Sequence, residues 1–112
     1  PDNEQRIFDH AQSVYWVGDI ALKRGDMATV TDYWTQYRDF GLRLVELDPD
    51  KDEWRTELAY GHRNLASLAL DEGKLEAAEA GFRRALEISA ALAARHPDDK
   101  EMQIALAQDY YW

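Results

Sequence analysis

Leu65-Ala66-x-x-Ala69-x-x-x-Gly73-x-Leu75-x-x-Ala78-x-x-x-Phe82-x-x-Ala85-Leu86 is the stretch on which the fold turns. Its apolar residues recur at three- and four-residue steps on both sides of one glycine, the pattern of two amphipathic helices joined by a tight turn. Small residues (Ala66, Ala69, Ala78, Ala85) alternate with large ones (Leu65, Phe82, Leu86) along it.

Outward from this hairpin the chain matches itself at a spacing of 48 residues. Pro1-Asp2, Pro49-Asp50 and Pro97-Asp98 recur, as do Ala11, Ala59 and Ala107, and Gly25 and Gly73 fall at the same interval. At twice the spacing Ala11-Gln12-x-x-Tyr15-Trp16 returns as Ala107-Gln108-x-x-Tyr111-Trp112. A fixed period in a helical composition predicts a stack of helix pairs, each unit covering its neighbour's apolar face. The prolines divide the units and the glycines bisect them, which gives one domain over 1–112: repeat 1 at 1–48, repeat 2 at 49–96 and a partial repeat 3 at 97–112. Helices are expected at about 3–24, 27–47, 51–72, 75–95 and 99–112, with no strand. Asp2 with Gln5, Asp50 with Glu53 and Asp98 with Glu101 each read as a capping box, the Asp taking a free helix N–H and the Glu or Gln reaching back.

The hairpin 65–86 resembles a tetratricopeptide repeat (TPR). In repeat 1 the matching residues are Val17, Gly18, Ala21, Gly25, Met27, Val30, Trp34 and Tyr37, where the second helix is bulkier and wider packing is expected. The resemblance implies a right-handed α-solenoid of antiparallel helix pairs, five helices in all, cut after the first helix of the third repeat. The usual repeat has 34 residues, and this one adds seven to each helix, almost two whole turns (about 10 Å) that leave the apolar stripe facing its partner. Long repeats of this kind resemble those of large bacterial multidomain proteins, so the chain is expected to be a fragment of one.

In that family the first helices line the concave groove. The matching positions are Gln12, Tyr15, Asp19, Tyr60, Arg63, Ser67, Gln108 and Tyr111, and they imply a protein or peptide partner. Tyr and Arg suit this role because they combine area with a directional polar end. The competing expectation is that Tyr15, Trp16, Tyr111 and Trp112 pack between repeats. Some TPR modules clamp a terminal carboxylate with Lys, Arg and Asn. Here only Arg63 and Asn64 are comparable, and Tyr15 and Asp19 stand where Lys and Asn would be needed, so no such clamp is expected.

Twenty-two acidic against 13 basic residues give a formal charge of −9, which opposes binding to a phosphate backbone and makes nucleic acid an unsuitable partner. Cysteine is absent from the sequence, which excludes disulfides and thiolate metal sites. No apolar run reaches the length of a membrane span, and a soluble, cytoplasmic setting, or a soluble region of a larger protein, is expected. His10, His62 and His96 lie far apart without metal-ligand spacing, and the acidic pairs sit at turns, so neither a metal, a cofactor nor an enzyme activity is expected. The cut end bares Leu106, Tyr110 and Trp112 and predicts a homodimer of the isolated chain through them. The alternative to a binding module is a spacer, oligomerisation or regulatory segment of a signalling protein with no ligand of its own.

Overall fold

The computed structural model describes residues 2–110, with side chains at all of these except 2, 105, 106 and 108–110. Five helices occupy this span: α1 (Asp2–Lys23), α2 (Met27–Leu47), α3 (Asp52–Asp71), α4 (Leu75–Arg95) and α5 (Lys100–Tyr110). No strand occurs among the described residues. Among the described residues, backbones approach only between helices adjacent in the chain, α1 with α2, α2 with α3, α3 with α4 and α4 with α5. A closed bundle would return its last helix to its first. This chain packs in sequence order, as a helical-repeat stack does.

The two turns inside the pairs share one construction. Gly25 (φ 76°) and Gly73 (φ 77°) lie in the left-handed region, where a side chain would be strained. Around them Gly25 N–H donates to Leu22 and Asp26 N–H to Ala21, and 48 residues on Gly73 donates to Leu70 and Lys74 to Ala69. Both are the two-bond helix termination that glycine favours. The turns between pairs also match, with Lys51 N–H donating to Asp48 O at 3.2 Å and Asp99 N–H to His96 O at 3.0 Å.

Those outer turns correct the capping boxes. Pro49-Asp50 and Pro97-Asp98 are the two central residues of a β-turn, which suits Pro at its second position, so the helix starts only after them. The N-cap of α3 is Lys51, which has no side-chain acceptor to offer, and the cap before α5 is Asp99, whose Oδ1 takes Met102 N–H at 3.2 Å. Asp26 caps α2 through Thr29 N–H at 3.3 Å, a cap the capping-box pattern had not marked.

Residues 48 apart occupy matching places in the core. Ala11 and Ala59, Val30 and Ala78, Trp34 and Phe82, and Leu44 and Leu92 are all buried. The bulky second helix of repeat 1 is accommodated by its partner, because Trp34 lies against Gly18, where a Cβ would fall 2.4 Å from the indole ring. In repeat 2 the same pair is Ala66 and Phe82, a larger small residue facing a smaller ring. Gly18→Ala should therefore destabilise the chain by about 1–3 kcal/mol through overpacking. Adding Trp34→Phe, which copies the repeat 2 combination, should restore most of the loss, and urea unfolding of the two single variants and the double variant checks this as a coupling between the sites.

Candidate functional site

The first helices α1 and α3 are joined by side chains. Trp54 Nε1 donates to Glu4 Oε1 at 2.7 Å, and the rings of Phe8 and Trp54 lie 5.3 Å apart. Further along, Gln12 Nε2 donates to Glu57 Oε1 at 2.9 Å, and the same oxygen accepts from the Tyr37 hydroxyl of α2 at 2.7 Å. Glu57 thus ties three helices together. No motif or spacing singles it out. It stands one turn before Tyr60 on the same face of α3, but its partners are 45 and 20 residues away in the chain.

Tyr15 occupies the middle of this face. Its ring stacks on Trp34 (6.0 Å between centroids, 7° between planes), meets Trp16 edge-on at 5.5 Å, and lies 5.3 Å from Tyr37 and 6.2 Å from Tyr60. Burial raises the Tyr15 hydroxyl pKa above its ordinary value, and Tyr60 and Asp19 push the same way. Tyr37 is raised further, first by burial and then by its bond to the Glu57 carboxylate. Tyr15 therefore both packs and lines the face, while Trp16, expected as a packing residue, is 58% exposed.

The other expected residues divide by helix. Gln12 spends its amide on Glu57, and Asp19 pairs with Lys23 at 3.2 Å. Tyr60 is 44% exposed, the Arg63 guanidinium sits 5.8 Å from its ring centroid, and Ser67 is exposed further along α3. The side chain of Gln108 and all of Tyr111 lie outside the described residues. So do Trp112 and the side chains of Leu106 and Tyr110, on which the expected dimer contact rests.

Tyr60 and Arg63 also form part of the wall of a cavity of about 420 Å³ between α3, α4 and α5. Ala59, Leu92 and Met102 make its wall apolar, and Ser89, Asp99 and Glu101 supply polar groups. The residues from α4 and from the Pro97 turn could not be assigned from the sequence, because it is the stacking of α5 on α4 that brings them beside α3. The cavity thus has an apolar wall with polar groups around it, next to an exposed ring and a guanidinium.

The three histidines are apart in space as well as in sequence. His10 lies 4.7 Å from Phe40, and His96 ends α4, where its Nε2 meets Asp52 Oδ2 while Arg95 holds Asp52 Oδ1 at 2.8 Å. His62 is half-buried, and its pKa is lowered by burial first and then by Arg38 and Arg84, against an opposing effect of Asp39. No group of three metal-ligating side chains occurs among the described residues. No described helix is long and apolar enough to cross a membrane.

Neither a family model, nor a curated protein, nor a solved structure matches this chain.

Stability should bend at both ends of the pH range. A depressed histidine pKa favours folding above its unfolded value of 6.5 and loses that contribution as the pH falls through the folded value. A raised tyrosine pKa favours folding below 10.0 and loses that contribution at higher pH. In urea titrations, His62→Val, which copies Val14 of repeat 1, should flatten the decline as the pH falls below 6.5, and Tyr37→Phe should flatten the decline as it rises above 10.0.

Proposed function

We propose that this chain is a protein-interaction module of the tetratricopeptide class, with 48-residue repeats in a right-handed solenoid, that holds an extended peptide or a protein segment along the first-helix face of α1, α3 and α5. The observation that carries this reading is the strip formed by Tyr15, Tyr60 and Arg63, which leads into the 420 Å³ cavity. Tyr15 is held by four neighbouring aromatic rings, so little side-chain freedom is left to lose on binding. Tyr60, exposed and beside a guanidinium, has the character of an interface anchor, and the cavity accepts one apolar side chain of the partner.

The charge of the chain favours a partner with basic flanks. With a net charge of −9, and with Asp99 and Glu101 on the cavity wall, an acidic segment would be repelled at encounter while a Lys- or Arg-bearing one would be attracted. Such a module works by burial and complementarity with no chemical step, in a soluble and, by this reading, cytoplasmic protein of bacterial multidomain type.

Selection of a random peptide library on the immobilised chain tests the proposal. Enriched peptides should carry an apolar anchor with basic neighbours. Tyr60→Ala combined with Arg63→Ala should weaken them at least about tenfold, the loss expected for one interface anchor, while helical content by circular dichroism stays the same. A folded chain that enriches nothing would favour the spacer role instead. Peptides that bind the double variant equally well would place recognition elsewhere.

A further inference from the structure

Arg38 of α2, His62 of α3 and Arg84 of α4 meet at one level of the stack. A Cβ on Gly61 would lie 2.9 Å from the Cα of Arg38 and 3.4 Å from its Cγ, so the Arg38 stem rests on α3 beside His62. On the other flank a Cβ on Gly81 would lie 3.3 Å from His62 O, and Arg84 follows one turn later on α4. Ala66 clusters with Ala78 and Phe82, whereas Ala59 clusters with Ile88 and Leu92, so α4 runs antiparallel to α3 and brings Arg84 level with His62. Both guanidiniums act on the imidazole, as does the Asp39 carboxylate; these are the charged groups that face it from α2 and α4. Neither guanidinium is fully used. Arg38 gives Nε and Nη2 to the single oxygen Asp39 Oδ1 at 3.2 and 3.0 Å, and Arg84 gives Nη1 to Glu87 Oε2 at 3.2 Å, fewer contacts than a guanidinium has N–H donors. The four side chains of these two pairs are 34 to 59% exposed, and ion pairs so open to water hold weakly.

We propose that Arg38, His62 and Arg84 form a binding site for one small tetrahedral dianion, a phosphate or a phosphoryl group, held by two guanidiniums and the imidazole. Asp39 is the resident competitor, a single negative charge fixed to α2, whereas a dianion offers more charge and more acceptor oxygens to donors on three helices. Burial and the two guanidiniums hold the His62 pKa below its ordinary value, against Asp39. A dianion seated among them acts the other way, so its binding and the protonation of His62 favour each other. The net charge of −9 opposes a polyanion such as nucleic acid, but a single dianion meets only the local cations. His62 lies two residues from Tyr60, roughly 200° round α3, so the site is separate from the strip of Tyr60 and Arg63 and stands whether or not that strip binds a peptide.

The test is an NMR titration of the 112-residue chain with sulfate, which stays a dianion from weakly acid to weakly alkaline pH, at an ionic strength held constant with sodium chloride. The His62 titration midpoint should move to higher pH as sulfate is added, while those of His10 and His96 stay in place. Sulfate affinity should rise at least about fivefold between about pH 8 and about pH 5, the lower end of usual coupling between two bound species. His62→Gln assigns the signal and should remove that pH dependence. Arg38→Gln and Arg84→Gln should each weaken sulfate at least about tenfold, the loss of one hydrogen bond between charged groups, with the circular dichroism unchanged, since Gln keeps the Cβ and Cγ that rest on Gly61. Asp39→Asn, which removes the competing carboxylate, should strengthen binding. Inorganic phosphate and a phosphoserine peptide distinguish the two sources: tighter binding of the peptide, lost in its unphosphorylated form, marks a phosphoryl group, and tighter binding of phosphate marks the free anion. A His62 midpoint that ignores sulfate, an equal movement of all three histidines, or affinity that survives both arginine substitutions would each overturn the proposal.

Discussion

Close approach among α1, α2, α3 and α4 depends on a missing side chain at each crossing. Gly18 makes room for the Trp34 indole, Gly41 for the backbone of α3 at Leu58, Gly61 for the backbone of α2 at Arg38, and Gly81 for the Cβ of Ala66. Each is the position where one rod lies on the next, and none could take a Cβ without its neighbour giving way. Close-packed interiors have little slack, so these four sites set the spacing of α1 to α4, and with it the distances between their side chains. The Tyr15 stack on Trp34 follows directly from the empty volume at Gly18, and the indole N–H of Trp34 reaches Tyr15 O at 3.4 Å as a result.

Polar ties then hold the first helices in register along their length. Trp54 to Glu4 fixes one end of the α1–α3 seam, and Glu57, gathering Gln12 and Tyr37, fixes its middle. A carboxylate that accepts from two donors in a partly buried seam is directional where apolar contacts are not. The Asp52 contact to Arg95 and His96 does the same between the start of α3 and the end of α4.

Much of the architecture was legible because it rests on short-range rules. Gly25 and Gly73 announce left-handed turns, Pro49 and Pro97 announce breaks, and three- and four-residue apolar steps announce helices; each of these acts within one or two turns of chain. The bounds 27–47 and 75–95 agree with α2 and α4 for that reason. The capping boxes at Asp50 and Asp98 were one residue out of register because a Pro-Asp pair can serve as the centre of a turn or as the start of a helix, and the closing bonds from Lys51 to Asp48 and from Asp99 to His96 distinguish the two, while the side chain of Asp2 lies outside the described residues.

By itself the sequence determined the number of helices, their order and the repeat that relates them, since period and turn chemistry are local properties. Tertiary structure alone decided that Glu57 would become a three-helix junction, that Trp16 would stay exposed while Tyr15 sank into an aromatic cluster, and that Ser89, Leu92 and Met102 would wall a cavity with Tyr60 and Arg63. Those outcomes join residues from different helices, and their distances follow from how closely the glycine crossings let the rods approach, which periodicity does not encode.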